Sequence, residues 1–111
     1  MTPNITITQA DQLPCPLIHL DSTQALADWY HHQLLDALRR GEKTICLHCF
    51  ASLGGDWSPA AGAYAVLRMT ADFLYDHPEM EEVQLLCAGE ACYRAYRFQW
   101  NMWFAQSKPQ D

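Results

Sequence analysis

Apolar and polar positions along the chain predict an alternation of strands and helices. Residues 4–8 alternate and are β-branched, which predicts a short edge strand. The short apolar run at residues 15–20 predicts a strand buried on both faces. Apolar segments at residues 43–50 and 82–88 predict two further strands.

Three helices are predicted between and after these strands. Asp21 is the expected N-cap of the first, and Gly41 follows its last turn. Ser58 caps the second, because a proline follows it at the first helical position, and this helix runs to about residue 77. The third covers about residues 90–105 and is rich in aromatic side chains.

Strands that alternate with helices are typical of a parallel sheet with helices on both faces. We therefore expect an α/β protein, a three-layer α/β/α sandwich with a mainly parallel central sheet. The length of 111 residues predicts one domain over residues 1–111. Within it, residues 1–14 are expected to be an extended N-terminal segment and residues 106–111 a frayed tail.

Composition excludes several classes of function. Half of the residues (50%) are apolar and 18% are charged, which excludes a disordered chain. The net charge of −6 opposes general nucleic-acid binding. No apolar run is long enough to span a membrane, and the N-terminus lacks the pattern of a secretory signal. With an odd number of cysteines (5), these features predict reduced thiols and a cytoplasmic location.

Cysteine and histidine pairs give little support for a metal site or an active site. Cys46 and Cys49 have metal-pair spacing, but residues three apart on a strand point to opposite faces. Cys46 and His48 share a face, and we expect both to be buried in the sheet. The neighbours His31 and His32 lack a third ligand. We therefore predict no metal site and no cofactor, assign no catalytic residue, and leave enzymatic activity uncertain with a preference against it.

The loop between the second strand and the second helix is the best candidate site. Parallel sheets bind ligands at the carboxyl ends of their strands, and a helix N-terminus with glycines before it favours an anion such as phosphate. Asp56 opposes an anion there because it adds negative charge. His19, at the end of the predicted 15–20 strand, is a possible further contact. The candidate ligand-binding residues are Ser52, Leu53, Gly54, Gly55, Asp56, Trp57 and Ser58.

This loop resembles the second phosphate-binding loop of the macrodomain (ADP-ribose-binding) family. The family pattern there is Ser-Thr-Gly, an apolar residue, an aromatic, two more residues and Pro, and it is matched at Ser52, Gly54 and Pro59. Leu53 stands at the family's Thr, and Asp56 at its usual aromatic. Residues 73–86 and 90–96 are similar to the family's last helix–strand passage and its terminal helix. The likeness covers the C-terminal two-thirds of a full macrodomain, so we expect an N-terminally truncated version without the N-terminal ligand motifs.

The resemblance leaves two hypotheses open. In the first, the chain binds a nucleotide or an ADP-ribose-like phosphate on the 52–59 loop, with Trp57 stacked on a base or ribose. In the second, the ligand site is degenerate, and the fold serves as a protein-interaction or inhibitor module. Truncation exposes a sheet edge, which the first 14 residues, a second copy in a homo-oligomer or another protein would cover.

Overall fold

A computed structural model describes residues 3–11, 13–50 and 53–104 of the chain. Its elements, in chain order, are β1 (Ile5–Ala10), α1 (Thr23–Arg39), β2 (Thr44–Cys49), α2 (Pro59–Asp76), β3 (Glu82–Ala88), α3 (Gly89–Gln99) and a π-helical turn (Trp100–Phe104). This small α/β fold with a parallel sheet is confirmed, and it is compatible with an α/β/α sandwich. The predicted tail at residues 106–111 lies outside the described residues.

The sheet is built around its central strand, β3. Its order is β1-β3-β2, and both pairings are parallel. Leu85 is the register partner of Ile7 on one side and of Leu47 on the other. Because all three strands run in the same direction, their carboxyl ends meet at one edge of the sheet, where α2 and α3 begin.

The two faces of the sheet differ sharply in burial. On one face, alternate residues of every strand lie in the hydrophobic core; they are Ile5, Ile7, Leu47, Cys49, Val83, Leu85 and Cys87. On the other face, Cys46, His48 and Gln84 are exposed. The expectation that Cys46 and His48 are buried is therefore wrong, because the described helices leave this face of the sheet open, on the central strand as well as on β2. Cys46 and Cys49 do lie on opposite faces, as their spacing predicts.

The helices form a packed layer in which α2 contacts both α1 and α3. Helix α3 packs on β1 and β3, and α1 contacts β2. Tyr30 from α1, Val66 and Leu67 from α2, and Tyr96 from α3 are fully or almost fully buried in the shared core. One side of each helix therefore faces the core.

The expected strand at residues 15–20 is wrong. Residues 13–20 have no regular secondary structure, and the N-terminal strand at Ile5–Ala10 pairs with β3 instead. Pro14 and Pro16 interrupt the segment because neither can donate a backbone hydrogen bond. Leu17 is fully exposed, and the N–H of Leu20 donates to the carbonyl of Leu53 at 3.1 Å. The short edge strand predicted for residues 4–8 is present as β1, which is one of the two edge strands of the sheet.

The helix ends follow the sequence signals with one shift. Ser22, not Asp21, caps α1, and its hydroxyl oxygen accepts from the N–H of Ala25 at 3.1 Å. Gly41 follows α1 with a φ of +80°, which a residue with a side chain rarely adopts. Ser58 caps α2 as predicted, accepting from the N–H of Ala61 at 3.2 Å. The third helix ends at Gln99 and continues as the π-helical turn, which the sequence pattern does not indicate.

We predict that Leu85→Ala lowers the free energy of unfolding by about 3 kcal/mol, because it leaves a cavity beside the fully buried centre of the sheet. Leu17→Ala is the matched control, since it removes the same atoms from a fully exposed side chain. Urea denaturation followed by circular dichroism measures both. Equal effects of the two substitutions would show that β3 does not lie at the centre of the core.

Candidate functional site

The candidate loop lies where β2 ends and α2 begins, at the carboxyl edge of the sheet. Leu53 and Gly54 have φ values of +58° and +83°, so the backbone is left-handed at two successive residues. Leu53 is buried, and its carbonyl accepts from the N–H of Leu20. This hydrogen bond anchors the start of the loop to the irregular segment 13–20. Ser52, a predicted ligand contact, lies outside the described residues.

His19 is brought next to the loop by this anchor. A Cβ atom on Gly54 would lie 2.8 Å from Nδ1 of His19 and 3.1 Å from its Cα, so Gly54 has no room for a side chain. The imidazole Nε2 lies 3.4 Å from Oδ1 of Asp21, and both side chains are largely exposed. The structure therefore places His19 and the loop together, although His19 does not end a strand.

Trp57 folds back into the loop instead of projecting from it. Its six-membered ring occupies the space that a Cβ on Gly55 would need, and its Nε1 lies 2.8 Å from the corresponding position on Gly62 in α2. The indole N–H is buried and has no hydrogen-bond partner among the described residues. Glycines 54 and 55 are thus required by packing of the chain on itself, and they do not by themselves indicate a close ligand.

Several backbone N–H groups of the loop nevertheless have no hydrogen-bond acceptor among the described residues. The N–H groups of residues 54–58 donate to no other described residue. They precede the N-terminus of α2, where the helix dipole places partial positive charge. The Ser58 hydroxyl is already occupied in capping the helix. Asp56 is exposed on the same loop, so the anion-attracting backbone stands beside a carboxylate.

Beneath this edge lies a buried cluster of thiols and phenols, which we call the thiol–tyrosine cluster. Cys49 and Cys87 are register partners in adjacent strands, and Cys92 on α3 donates to the carbonyl of Cys49 at 3.5 Å. Tyr30 donates to the carbonyl of His48 at 2.7 Å. The hydroxyl of Tyr96, one helical turn after Cys92, is buried without a partner among the described residues. Its members are Tyr30, Cys49, Cys87, Cys92 and Tyr96.

The environment favours the protonated form of four members of this cluster, Tyr30, Cys87, Cys92 and Tyr96. Hydrogen bonding to Cys49, together with burial, raises the pKa of Cys87, and hydrogen bonding to Cys87, together with burial, raises the pKa of Cys92. Burial likewise raises the pKa of Tyr30 and of Tyr96. Because a thiolate is the reactive and metal-binding form of cysteine, these thiols act as packed, neutral groups. The cluster was not predicted from the sequence, although the apolar alternation of β2 and β3 and the spacing of Cys92 and Tyr96 are consistent with it.

The other chemistry-bearing pairs do not assemble into a site. Cys46 and His48 share the exposed face of β2, and partial burial raises the pKa of Cys46, which disfavours its thiolate. His31 packs edge-on against Phe73 with ring centroids 5.6 Å apart, whereas His32 is exposed. Over residues 3–11, 13–50 and 53–104, no group of three or more His, Cys, Asp or Glu side chains is arranged to hold a metal ion. The described cysteines are all free thiols.

Comparison with known proteins adds no assignment. No family model matches this chain, and a search of curated proteins gives no match. Within the described part of the chain, none of the helices has the length and hydropathy required to cross a membrane.

We predict that stability falls at alkaline pH because of the thiol–tyrosine cluster. Above about pH 8.5 an unfolded thiol ionises while Cys87 and Cys92 stay protonated in the fold, so unfolding releases protons. The stabilisation is complete below that pH and decreases above it, by about 1.4 kcal/mol per pH unit for each thiol. Urea unfolding between about pH 7.5 and about pH 9.5, under reducing conditions, measures the slope.

The cysteine variants separate this effect from general alkaline denaturation. The double variant Cys87→Ala and Cys92→Ala is less stable at neutral pH but has a shallower slope. Cys15→Ser, at an exposed thiol, keeps the slope of the unmodified protein. An unchanged slope in the double variant contradicts the assignment.

Proposed function

We propose that this chain binds a nucleotide or an ADP-ribose-like phosphate ligand on the loop at residues 52–59. The observation that carries the proposal is the run of backbone N–H groups at residues 54–58, which have no partner among the described residues and precede the N-terminus of α2. Phosphate oxygens are suitable acceptors for such groups. The likeness of Ser52, Gly54 and Pro59 to the macrodomain loop supports the same ligand class.

The side chains around the loop suggest different roles in this proposal. His19 stands beside Gly54, where its imidazole could donate to a phosphate oxygen. Trp57 packs against Gly55 and Gly62 and supports the loop from within, so we do not assign it the role of stacking on a base or ribose. Asp56 weakens anion binding by its charge. Among the described residues of the loop, 53–59, no side chain is part of a nucleophile–base or acid–base pair, so the activity we propose is binding and not catalysis.

Titration calorimetry with ADP-ribose, and with ADP and AMP as controls, tests the proposal. We expect saturable one-site binding of ADP-ribose in the micromolar range and weaker binding of AMP, which lacks the second phosphate. No saturable heat at millimolar ADP-ribose would falsify the proposal. Backbone amide shifts at residues 54–58 in a nitrogen-15 spectrum locate the ligand and distinguish this loop from any other surface.

We predict that Asp56→Asn tightens binding of the phosphate ligand by about 2- to 5-fold, because it removes a negative charge from the first turn before α2. Asp76→Asn is the control: Asp76 is also exposed, makes no ion pair with another described residue, and lies at the opposite end of α2 from the loop. Calorimetry at low ionic strength measures both variants. If both changes alter the affinity equally, the effect reflects net charge and not the loop.

A second candidate function, a protein-interaction module that forms a dimer, is favoured by the edge strand β2. No strand pairs with its outer side in the described part of the chain, and Thr44, Cys46 and His48 are exposed along it. Shallow grooves lie between this strand and α1. Part of the β2 edge is therefore accessible to a partner strand. An unpaired parallel edge is a template for another strand.

The dimer hypothesis predicts that the double variant Thr44→Lys and Cys46→Lys is monomeric, because charged side chains on an edge strand oppose pairing. Thr8→Lys provides the control, since Thr8 is exposed on the opposite edge strand, β1. Light scattering under reducing conditions, which prevents a disulfide through Cys46, gives the mass. A monomeric unmodified protein, or a double variant that stays dimeric, rejects the β2 edge as the interface.

A further inference from the structure

A groove on the far side of the molecule from the candidate loop has the features of a second binding site. It lies between the C-terminal half of α2, the turn that leads into β3, and the π-helical turn after α3. Its volume is about 660 Å³, within the range of small-molecule sites. Leu74, Tyr75, Met80 and Trp103 supply apolar and aromatic surface, with Asp72 and Glu81 beside them.

The aromatic walls of the groove are unusually exposed. Tyr75 is 87% exposed and Trp103 is 60% exposed. The π-helical turn separates two successive aromatics: Phe104 stacks on Trp100 with centroids 6.0 Å apart, while Trp103 stays at the surface. Trp103 also meets Tyr64 edge-on at 6.1 Å. Single π-helical turns are frequent at functional sites, and this one fixes the position of the exposed indole.

The charged side chains that line the groove are acidic. Asp72 and Glu81 are the charged side chains among its described lining residues, and no Lys, Arg or His lines it in that part of the chain. Asp72 forms an ion pair with Arg68, whose Nε lies 3.4 Å from Oδ2 of the carboxylate. Glu81 makes no ion pair with another described residue. The net charge of −6 adds a favourable field for a positive ligand.

We propose that this groove binds a small organic cation, an ammonium group attached to a flat or apolar body. An indole or phenol face attracts a cation through its quadrupole, and the carboxylates add a direct charge interaction. The apolar body of the ligand would cover Leu74, which is partly exposed. A second copy of the chain fits less well, because each copy would bring the same acidic groove and the same negative net charge.

The proposal is tested with benzyltrimethylammonium, with benzyl alcohol and phenylacetate as neutral and anionic probes of similar shape. Each is titrated into nitrogen-15-labelled protein, and the indole N–H signal of Trp103 is assigned from a Trp103→Phe variant. We expect saturable shifts for the cation, binding about 5- to 20-fold weaker for the alcohol, and no binding of the anion.

Three variants locate the site. Tyr75→Ala, at a side chain so exposed that the fold does not depend on it, is expected to weaken cation binding several-fold, as is the double variant Asp72→Asn and Glu81→Gln. Phe98→Ala removes an aromatic side chain that is 57% exposed but lies outside the groove, and it should leave binding unchanged. Retained amide spectra show that each variant is folded.

Three results would overturn the proposal. Equal binding of all three probes would indicate a general apolar surface, and an equal loss of binding in the Phe98→Ala variant would place the site elsewhere. Binding of an arginine-rich peptide without binding of the small cation would indicate a docking site for a protein segment. The groove and the 52–59 loop share no residue. Failure of phosphate binding at the loop therefore leaves this test unaffected, and the reverse also holds.

Discussion

The backbone hydrogen bonds of the central strand β3 hold the rest of the fold in place. Both β1 and β2 pair with it in parallel, and the same face of all three strands is buried under the helices. This single register brings the carboxyl ends of the strands to one edge. It also stacks Ile7, Leu85 and Leu47 across the core. A slip by one residue would bury Cys46 and His48 and expose Leu47 and Cys49, so burial enforces the register.

The position of the candidate loop depends on the carboxyl edge of the sheet and on one hydrogen bond to the segment at residues 13–20. Leu53 lies in the left-handed region and is buried, and the hydrogen bond from Leu20 holds its carbonyl. Gly54 then packs directly on His19, and the Trp57 ring fills the space behind Gly55. The shape of the loop is thus set by the protein's own contacts, which leaves its backbone N–H groups as the feature that a ligand could use. A fixed loop of this kind would lose little conformational entropy on binding.

Much of the fold was predictable from the sequence because its signals are local. Apolar periodicity indicates β2, β3 and the three helices, and the Ser58 cap marks the start of α2. The strand at residues 15–20 was wrong because apolar composition outweighed Pro14 and Pro16, which cannot donate to a neighbouring strand. The exposure of Cys46 and His48 depends on which face of the sheet the helices cover, and a one-dimensional pattern does not contain that information. The strand order is likewise absent from the pattern, since β3 follows both other strands in sequence but lies between them in the sheet.

The candidate site was predictable in position but not in detail. A parallel sheet places the loop after β2 at the carboxyl edge, and the sequence alone supports that inference. The inward packing of Trp57 and the contact of Gly54 with His19 are tertiary, because they join segments whose separation in sequence gives no hint of proximity. The thiol–tyrosine cluster has the same origin, since it joins α1, the carboxyl ends of β2 and β3, and α3.

The two proposed sites would bind ligands of opposite charge, so the net charge of the protein affects them in opposite ways. The net charge of −6 favours a cation in the groove and opposes an anion at the loop. Screening limits this long-range effect, because the Debye length is about 8 Å at physiological ionic strength. At the loop, the donors at residues 54–58 act at hydrogen-bond distance, where screening is weak, and there they compete directly with Asp56. The proposed anion binding at the loop would therefore be a balance between backbone N–H groups and one neighbouring carboxylate, whereas at the groove the local and net charges have the same sign.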